Sequence, residues 1–259
     1  GGCTLKLTGG CITDCRATDT GGGGVDLRGS TAILYISGTA RIENCTAGEM
    51  WGANAIFNSG TMYADGGTVD GTVNNQGTIK RSEGTADMDM TVFNKAVYNR
   101  AGKSIEAGIY KGTVENRGSI TGGTFYGGVT DDGGTIRGGT FAVTFDRGDG
   151  TKTEPTLVEW NGKVSRPTSD PEKSGHTFVG WYLGDALYDF NTPVNAPLTL
   201  TARWEEVPSS GGNYYYHPTT DTKADDAKGS PKTADPGVAL YAALSLLSLT
   251  GLTCTAKKR

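Results

Sequence analysis

The feature that most constrains this chain is a motif that returns after 15 and then 16 residues. Ser104-Ile105-Glu106-Ala107-Gly108-Ile109-Tyr110 reads onto Ser119-Ile120-Thr121-Gly122-Gly123-Thr124-Phe125, and again onto Thr135-Ile136-Arg137-Gly138-Gly139-Thr140-Phe141. Gly112-Thr113-Val114-Glu115-Asn116-Arg117-Gly118 lies between the first two copies. An earlier copy, residues 61–77, ends in Gly71-Thr72-Val73-Asn74-Asn75-Gln76-Gly77, and residues 78–103 read as a degenerate or expanded copy. A unit this short cannot bury an apolar face alone, so it is stable only when stacked on its neighbours. The motif predicts a mainly β chain in which residues 1–141 form a parallel, β-helix-like solenoid. Its Ile, Val and Phe positions form the inward ladder, and its Gly, Asn and Asp positions take corners of positive φ. Regularly placed Ile, Val and Phe argue against disordered low-complexity sequence.

A second repeat near the start supports the same architecture. Ile12-Thr13-Asp14-Cys15-Arg16-Ala17 matches Ile42-Glu43-Asn44-Cys45-Thr46-Ala47 at an offset of 30 residues. The inward alternation slips once, at Asn44, which places a left-handed bend there. The 41 glycines fit a fold of turns and short strands, and a net charge of -4 with a pI near 5.3 excludes a phosphate-binding basic face. Nucleic acid is therefore not an expected partner.

The opening Gly-Gly-Cys-Thr-Leu has neither an initiator Met nor a signal peptide, yet the other end of the chain calls for export. The sequence reads as a fragment of a longer exported protein. Cys3, Cys11, Cys15, Cys45 and Cys254 lack the close pairing of a zinc site and read mostly as small buried residues. A disulfide between two of the first four stays open outside the cell.

At Ala142 the pattern changes. Val143-Thr144-Phe145-Asp146, then Gly175-His176-Thr177-Phe178-Val179-Gly180-Trp181-Tyr182, Tyr188-Asp189-Phe190 and Leu198-Thr199-Leu200-Thr201-Ala202-Arg203-Trp204 make an aromatic-rich unit. Phe145, Phe178, Trp181, Phe190 and Trp204 are enough large side chains for one small core. Residues 142–206 resemble the Listeria–Bacteroides repeat, also called the internalin B-repeat. That resemblance implies a β-grasp-like module acting as a spacer or interaction unit on bacterial surfaces.

Residues 207–229 have the composition of a disordered, flexible linker, with Tyr214, Tyr215 and Tyr216 read as exposed aromatics in the tether. Then Ser230-Pro231-Lys232-Thr233-Ala234 precedes the uncharged residues 238–256 and a closing Lys257-Lys258-Arg259. As a helix, the uncharged stretch spans about 28 Å, just enough to cross roughly 30 Å of bilayer hydrocarbon, with the cations left on the cytoplasmic side. Residues 230–259 resemble the cell-wall sorting signal of sortase substrates, usually Leu-Pro-x-Thr-Gly, with Ser230 in place of Leu and Ala234 in place of Gly. The resemblance implies cleavage after Thr233 and transfer of its carbonyl to peptidoglycan. Pro231 keeps the peptide extended, and the Thr-Ala bond is open to a nucleophilic cysteine.

Other candidates carry less. His176 and His217 have no partners for nucleophilic or metal chemistry. Arg147-Gly148-Asp149 falls in a turn where small and polar residues are expected. Asp131-Asp132 and the pair Asp87 and Asp89 have the residue type of a glycan-cleaving solenoid, but Asp131-Asp132 stands at the corner held by Asn116 in the copy before it. The expected function is a non-catalytic stalk or adhesin-like protein on a Gram-positive-type cell surface, without a cofactor or metal. Its expected partners are sortase, peptidoglycan, the membrane before sorting, and host or microbial glycans or proteins. The rival reading is a surface-anchored, glycan-active β-helix enzyme.

Overall fold

The structure is a computed structural model that describes residues 2–18, 21–48, 53–84 and 90–208. In the first part of the chain, short strands run in three parallel stacks, each strand hydrogen-bonded to its counterpart one coil away. Thr78–Lys80, Ser104–Ile105, Ser119–Ile120 and Thr135–Ile136 continue the first stack, and Val92–Phe93, Ile109–Tyr110, Thr124–Phe125 and Thr140–Asp146 the second. Val25–Leu27, Ile56–Asn58, Val73–Asn75, Val97–Asn99, Val114–Asn116 and Val129–Asp131 make the third. Two long strands, Ile33–Glu43 and Thr61–Asp70, pass through the corner and serve the first two stacks in turn. This is the parallel solenoid expected from the repeat.

The aligned motif copies are the structural copies. Ile105 pairs with Ile120 and Ile120 with Ile136; the first two are fully buried and Ile136, on the last rung, packs partly buried against the core. The expanded copy follows the same path, entering at Thr78–Lys80 and rejoining the second stack at Val92–Phe93. In that stack Phe93, Tyr110, Phe125 and Phe141 lie ring on ring, with centroids 4.9, 4.9 and 5.3 Å apart. Stacked rings of this kind add about 0.5–1.5 kcal/mol per pair beyond their burial. Tyr110 keeps its place among phenylalanines because its hydroxyl donates to the Ala107 carbonyl at 2.7 Å. Burial pushes that phenol well above its ordinary pKa.

The corners divide differently from the expectation. Gly108, Gly123 and Gly139 do have positive φ, at 116°, 102° and 100°. The bend predicted at Asn44 is also present, with φ 54°, and Asp14 one coil away has φ 55°. The asparagines of the third stack are not positive-φ corners. Asn58, Asn75, Asn99 and Asn116 are buried strand residues whose side chains form a continuous ladder. Each Nδ2 donates to the next Oδ1 at 2.8 Å, from Asn58 to Asn75, Asn75 to Asn99 and Asn99 to Asn116. A primary amide carries a donor and an acceptor, so identical rungs at the spacing of parallel strands satisfy one another. Asp131, which can only accept, ends the ladder by taking the Asn116 amide at 3.0 Å.

The strand Thr140–Asp146 crosses the boundary predicted at residues 141 and 142. Phe141 is the last rung of the aromatic stack, while Val143 and Phe145 enter a mixed parallel and antiparallel continuation of the same sheet. There the strand runs antiparallel to Thr156–Glu159 and parallel to Leu198–Glu206, which pairs antiparallel with His176–Leu183. The predicted aromatic core forms: Phe145 and Trp181 are buried at 4.8 Å edge to face, and Phe178 lies 5.4 Å from Trp181 and 5.5 Å from Trp204. A β-grasp carries a helix, but among the described residues there is none; the 160–175 connection contains Pro167 and Pro171, which oppose one. No helix among the described residues is long and apolar enough to cross a membrane, and the predicted helix at 238–256 lies outside them.

Asn99→Ala removes an internal rung: the Asn75 amide loses the Asn99 acceptor and keeps the Ser104 carbonyl at 3.0 Å, and the Asn116 side-chain carbonyl loses the Asn99 donor and keeps the Gly118 amide at 3.2 Å. The expected loss is about 2–4 kcal/mol in urea unfolding, and Ile120→Asp, which buries a charge, should cost at least as much.

Candidate functional site

The inner ladder determines the outer surface. At the corner between the first and second stacks, a Cβ on Gly123 would lie 3.0 Å from the Tyr110 ring, and one on Gly139 would lie 2.9 Å from the Phe125 ring. Glycine is thus required by the stacked rings beneath and by the backbone conformation. The same absence of side chains opens a trough outside. One cleft of about 450 Å³ is floored by Gly122, Gly123, Gly138 and Gly139 and ends at Glu159 and Trp160. A second, of about 390 Å³, continues along Gly38, Thr39, Arg41, Gly67 and Thr68, and both touch Met90. Outward residues Arg41, Thr68, Val92, Ile109, Thr124 and Thr140 follow one another in register along this face. It offers threonine hydroxyls, the Arg41 guanidinium, the aliphatic side chains of Val92 and Ile109, and one exposed indole.

Trp160 was not singled out in the sequence. It follows Thr156–Glu159 and precedes Asn161, whose φ is 62°, and its amide donates to the Gly139 carbonyl at 2.8 Å. A large aromatic in a polar turn was the available signal.

The predicted sorting residues Ser230, Pro231, Lys232, Thr233 and Ala234 lie outside the described residues, as do Asp87, Asp89, Tyr214, Tyr215, Tyr216, His217 and Cys254. Asp131 and Asp132 are described and serve separate structural contacts. Asp131 closes the asparagine ladder, while Asp132 accepts from Arg117 Nε at 2.7 Å. His176 makes a 2.9 Å contact through Nδ1 with the Ser174 carbonyl. Among the described residues no group of three or more potential metal ligands is present.

Arg147-Gly148-Asp149 forms a tight turn. Trp204 Nε1 donates to the Arg147 carbonyl at 2.9 Å, and Asp149 Oδ1 accepts from the Thr151 hydroxyl at 2.6 Å and the Thr151 amide at 2.8 Å. The Thr151 hydroxyl and then its amide hold the Asp149 carboxyl below its usual range. Asp146 is lowered too, first by the Gly148 amide at 3.0 Å and then by Lys152.

Residues 141–203 match the Listeria-Bacteroides repeat domain. The match covers most of the mixed sheet and its aromatic core, from Phe141, the last ring of the solenoid ladder, to the residue before Trp204. Two proteins of Evansella cellulosilytica are similar over 67 residues. One, named "Putative Gly-rich membrane protein", is 36% identical over 24% of this chain and 8% of its own length. The other, named "Putative membrane protein", is 34% identical over 24% of this chain and 10% of its own length. The chain thus spans a tenth or less of these relatives. No solved structure gives a significant match.

Because the folded pKa values of Asp146 and Asp149 lie below that of an unfolded Asp, about 3.9, their contribution to turn stability is complete above that value. It is lost as pH falls through the lower folded values. Carboxyl NMR titration should give both midpoints below the ordinary one, and Thr151→Val should raise the Asp149 midpoint while leaving Asp146 in place.

Proposed function

We propose that this chain is a non-catalytic cell-surface stalk or adhesin-like protein, anchored to a Gram-positive-type cell wall after sortase joins Thr233 to peptidoglycan. The observation that carries the reading is the strand Thr140–Asp146, which joins a stack of short coils to a repeat domain without a break in hydrogen bonding. Such a joint suits holding a surface away from an anchor. The names of the two relatives, each containing the word membrane, fit the same placement. The order Ser230 to Ala234, uncharged residues 238–256 and terminal cations supplies the anchoring chemistry: the apolar segment holds the exported chain while the pentapeptide meets the enzyme.

The trough is the surface we assign to a ligand. Its threonine hydroxyls and the Trp160 ring suit a glycan, since sugars present both hydroxyl groups and flat C–H faces. The contacts of Asp131 and Asp132 support structural use over a glycosidase pair, for each carboxylate is committed to a different neighbour.

The full chain should leave the wall fraction only after peptidoglycan hydrolase treatment, and Thr233→Ala should shift it to detergent-extractable membranes. Release of the unchanged full-length chain by detergent alone would replace sorting with a plain membrane anchor. On a glycan array the full chain should bind without turnover, and Trp160→Ala should lower that binding tenfold or more, about 1.4 kcal/mol. Polysaccharide cleavage that Asp131→Asn or Asp132→Asn abolishes would establish the enzyme reading instead.

A further inference from the structure

Cys15 and Cys45 occupy the same place in two successive coils. Ile12 pairs with Ile42 and Thr13 with Glu43, and beyond the cysteines Arg16 bridges to Thr46. The Thr46 amide donates to the Cys15 carbonyl and the Ala17 amide to the Thr46 carbonyl, both at 2.9 Å. Each cysteine follows a residue of nearly identical left-handed conformation, Asp14 at φ 55° and Asn44 at φ 54°. The two side chains therefore leave their coils in the same sense. Paired parallel strands lie about 4.8 Å apart, inside the Cα separation of about 4.4–6.8 Å that a disulfide spans.

The Cys45 thiol also turns toward the neighbouring coil. Cys45 Sγ reaches across the coil boundary to 3.8 Å from the Ile12 carbonyl, while lying 3.2 Å from its own Glu43 carbonyl. Cys15 Sγ lies 3.4 Å from the Thr13 carbonyl. Gly24 closes the pocket around the buried thiol: a Cβ there would lie 3.1 Å from Cys45 Sγ and 2.8 Å from Ile42 Cγ2. The other described cysteines have no thiol in register. Cys11 stands opposite Arg41 and points its thiol at Glu43 Oε1, 3.5 Å away, and exposed Cys3 lies beside Ile33.

We propose that Cys15 and Cys45 form a disulfide that staples the first two described coils of the solenoid. The strands Thr4–Leu7 and Cys11–Thr13 pair only with Ile33–Glu43, so this coil is held from one side among the described residues. A covalent link across this interface resists separation of the two coils. The oxidant is a small-molecule disulfide such as oxidised glutathione. Cys15, the more exposed of the two, enters first. Its thiolate attacks the glutathione disulfide, forming a Cys15–glutathione bond and releasing one glutathione thiolate. The Cys45 thiolate then attacks the Cys15 sulfur and expels the second glutathione. Two protons leave the protein, and two protein thiols are oxidised as one glutathione disulfide is reduced.

The pairing rests on coil register alone, whereas the oxidising surroundings rest on the proposed location outside the cell. Work on purified protein therefore separates the two. The full chain carrying Cys3→Ser, Cys11→Ser and Cys254→Ser retains only Cys15 and Cys45. Treated with oxidised glutathione, it should lose both reactive thiols and about 2 Da of mass, stay monomeric, and regain both thiols on reduction. Restoring the three cysteines should leave Cys15–Cys45 as the predominant cross-link in peptide mapping. Two stable glutathione adducts, two unreacted thiols, a disulfide-linked dimer, or a predominant pair involving Cys3 or Cys11 would each overturn the proposal.

Discussion

A coil of fifteen residues holds together only through the coils beside it, so the hydrogen-bond register between successive coils is the constraint on which everything else depends. Backbone bonds set that register, as in Thr121 N to Ile105 O at 2.9 Å and Arg137 N to Ile120 O at 2.8 Å. Two side-chain ladders then make it specific. A slip by one residue would turn Ile120 outward, separate the rings of Tyr110 and Phe125, and leave buried asparagine amides without partners. The penalty for the amides is the sharpest, because a buried amide without a partner costs about 1–3 kcal/mol at each rung. Apolar residues stabilise the stack; the asparagines select one alignment of it.

Any such stack must also end. The second stack continues through Thr140–Asp146 into the Listeria-Bacteroides repeat domain, so its edge is paired by Leu198–Glu206 and Thr156–Glu159. The first and third stacks finish in the short strands Thr135–Ile136 and Val129–Asp131, where Thr130, Asp131 and Asp132 are exposed. Short, polar, acidic edges discourage further pairing. One residue, Phe141, belongs to both arrangements, closing the ring ladder while its strand neighbours Val143 and Phe145 open the next core.

The repeat offsets were legible because stacking equivalence and sequence equivalence are the same thing in a solenoid. Ile105, Ile120 and Ile136 align in both, and the slip at Asn44 marked a real left-handed residue. The role of Asn75, Asn99 and Asn116 was not legible, since asparagine is a turn residue by local preference and becomes a buried one only when copies of itself lie above and below. The expanded copy at 78–103 hid the rung at Asn99 by changing the spacing. The trough was hidden for a related reason: glycines that read as turn formers also clear the floor of a cleft, and Trp160 reaches it from outside the repeat. Cys15 and Cys45 were visible as an aligned pair within the twofold repeat, but only the coil-to-coil bridge brings them together.

The proposed surface role follows from these same features. Regular coils present a face of in-register threonine hydroxyls and aliphatic side chains, and their joint to the repeat domain is made of backbone hydrogen bonds instead of a loose tether. The most direct test is to observe the inter-coil bonds themselves by NMR, through scalar couplings across hydrogen bonds in the isotopically labelled chain. Couplings should link the amides of Thr121, Arg137 and Thr140 to the carbonyls of Ile105, Ile120 and Gly123, respectively. Couplings from these amides to other carbonyls, or their absence while the amides resist hydrogen exchange, would contradict the register and the stacked solenoid with it.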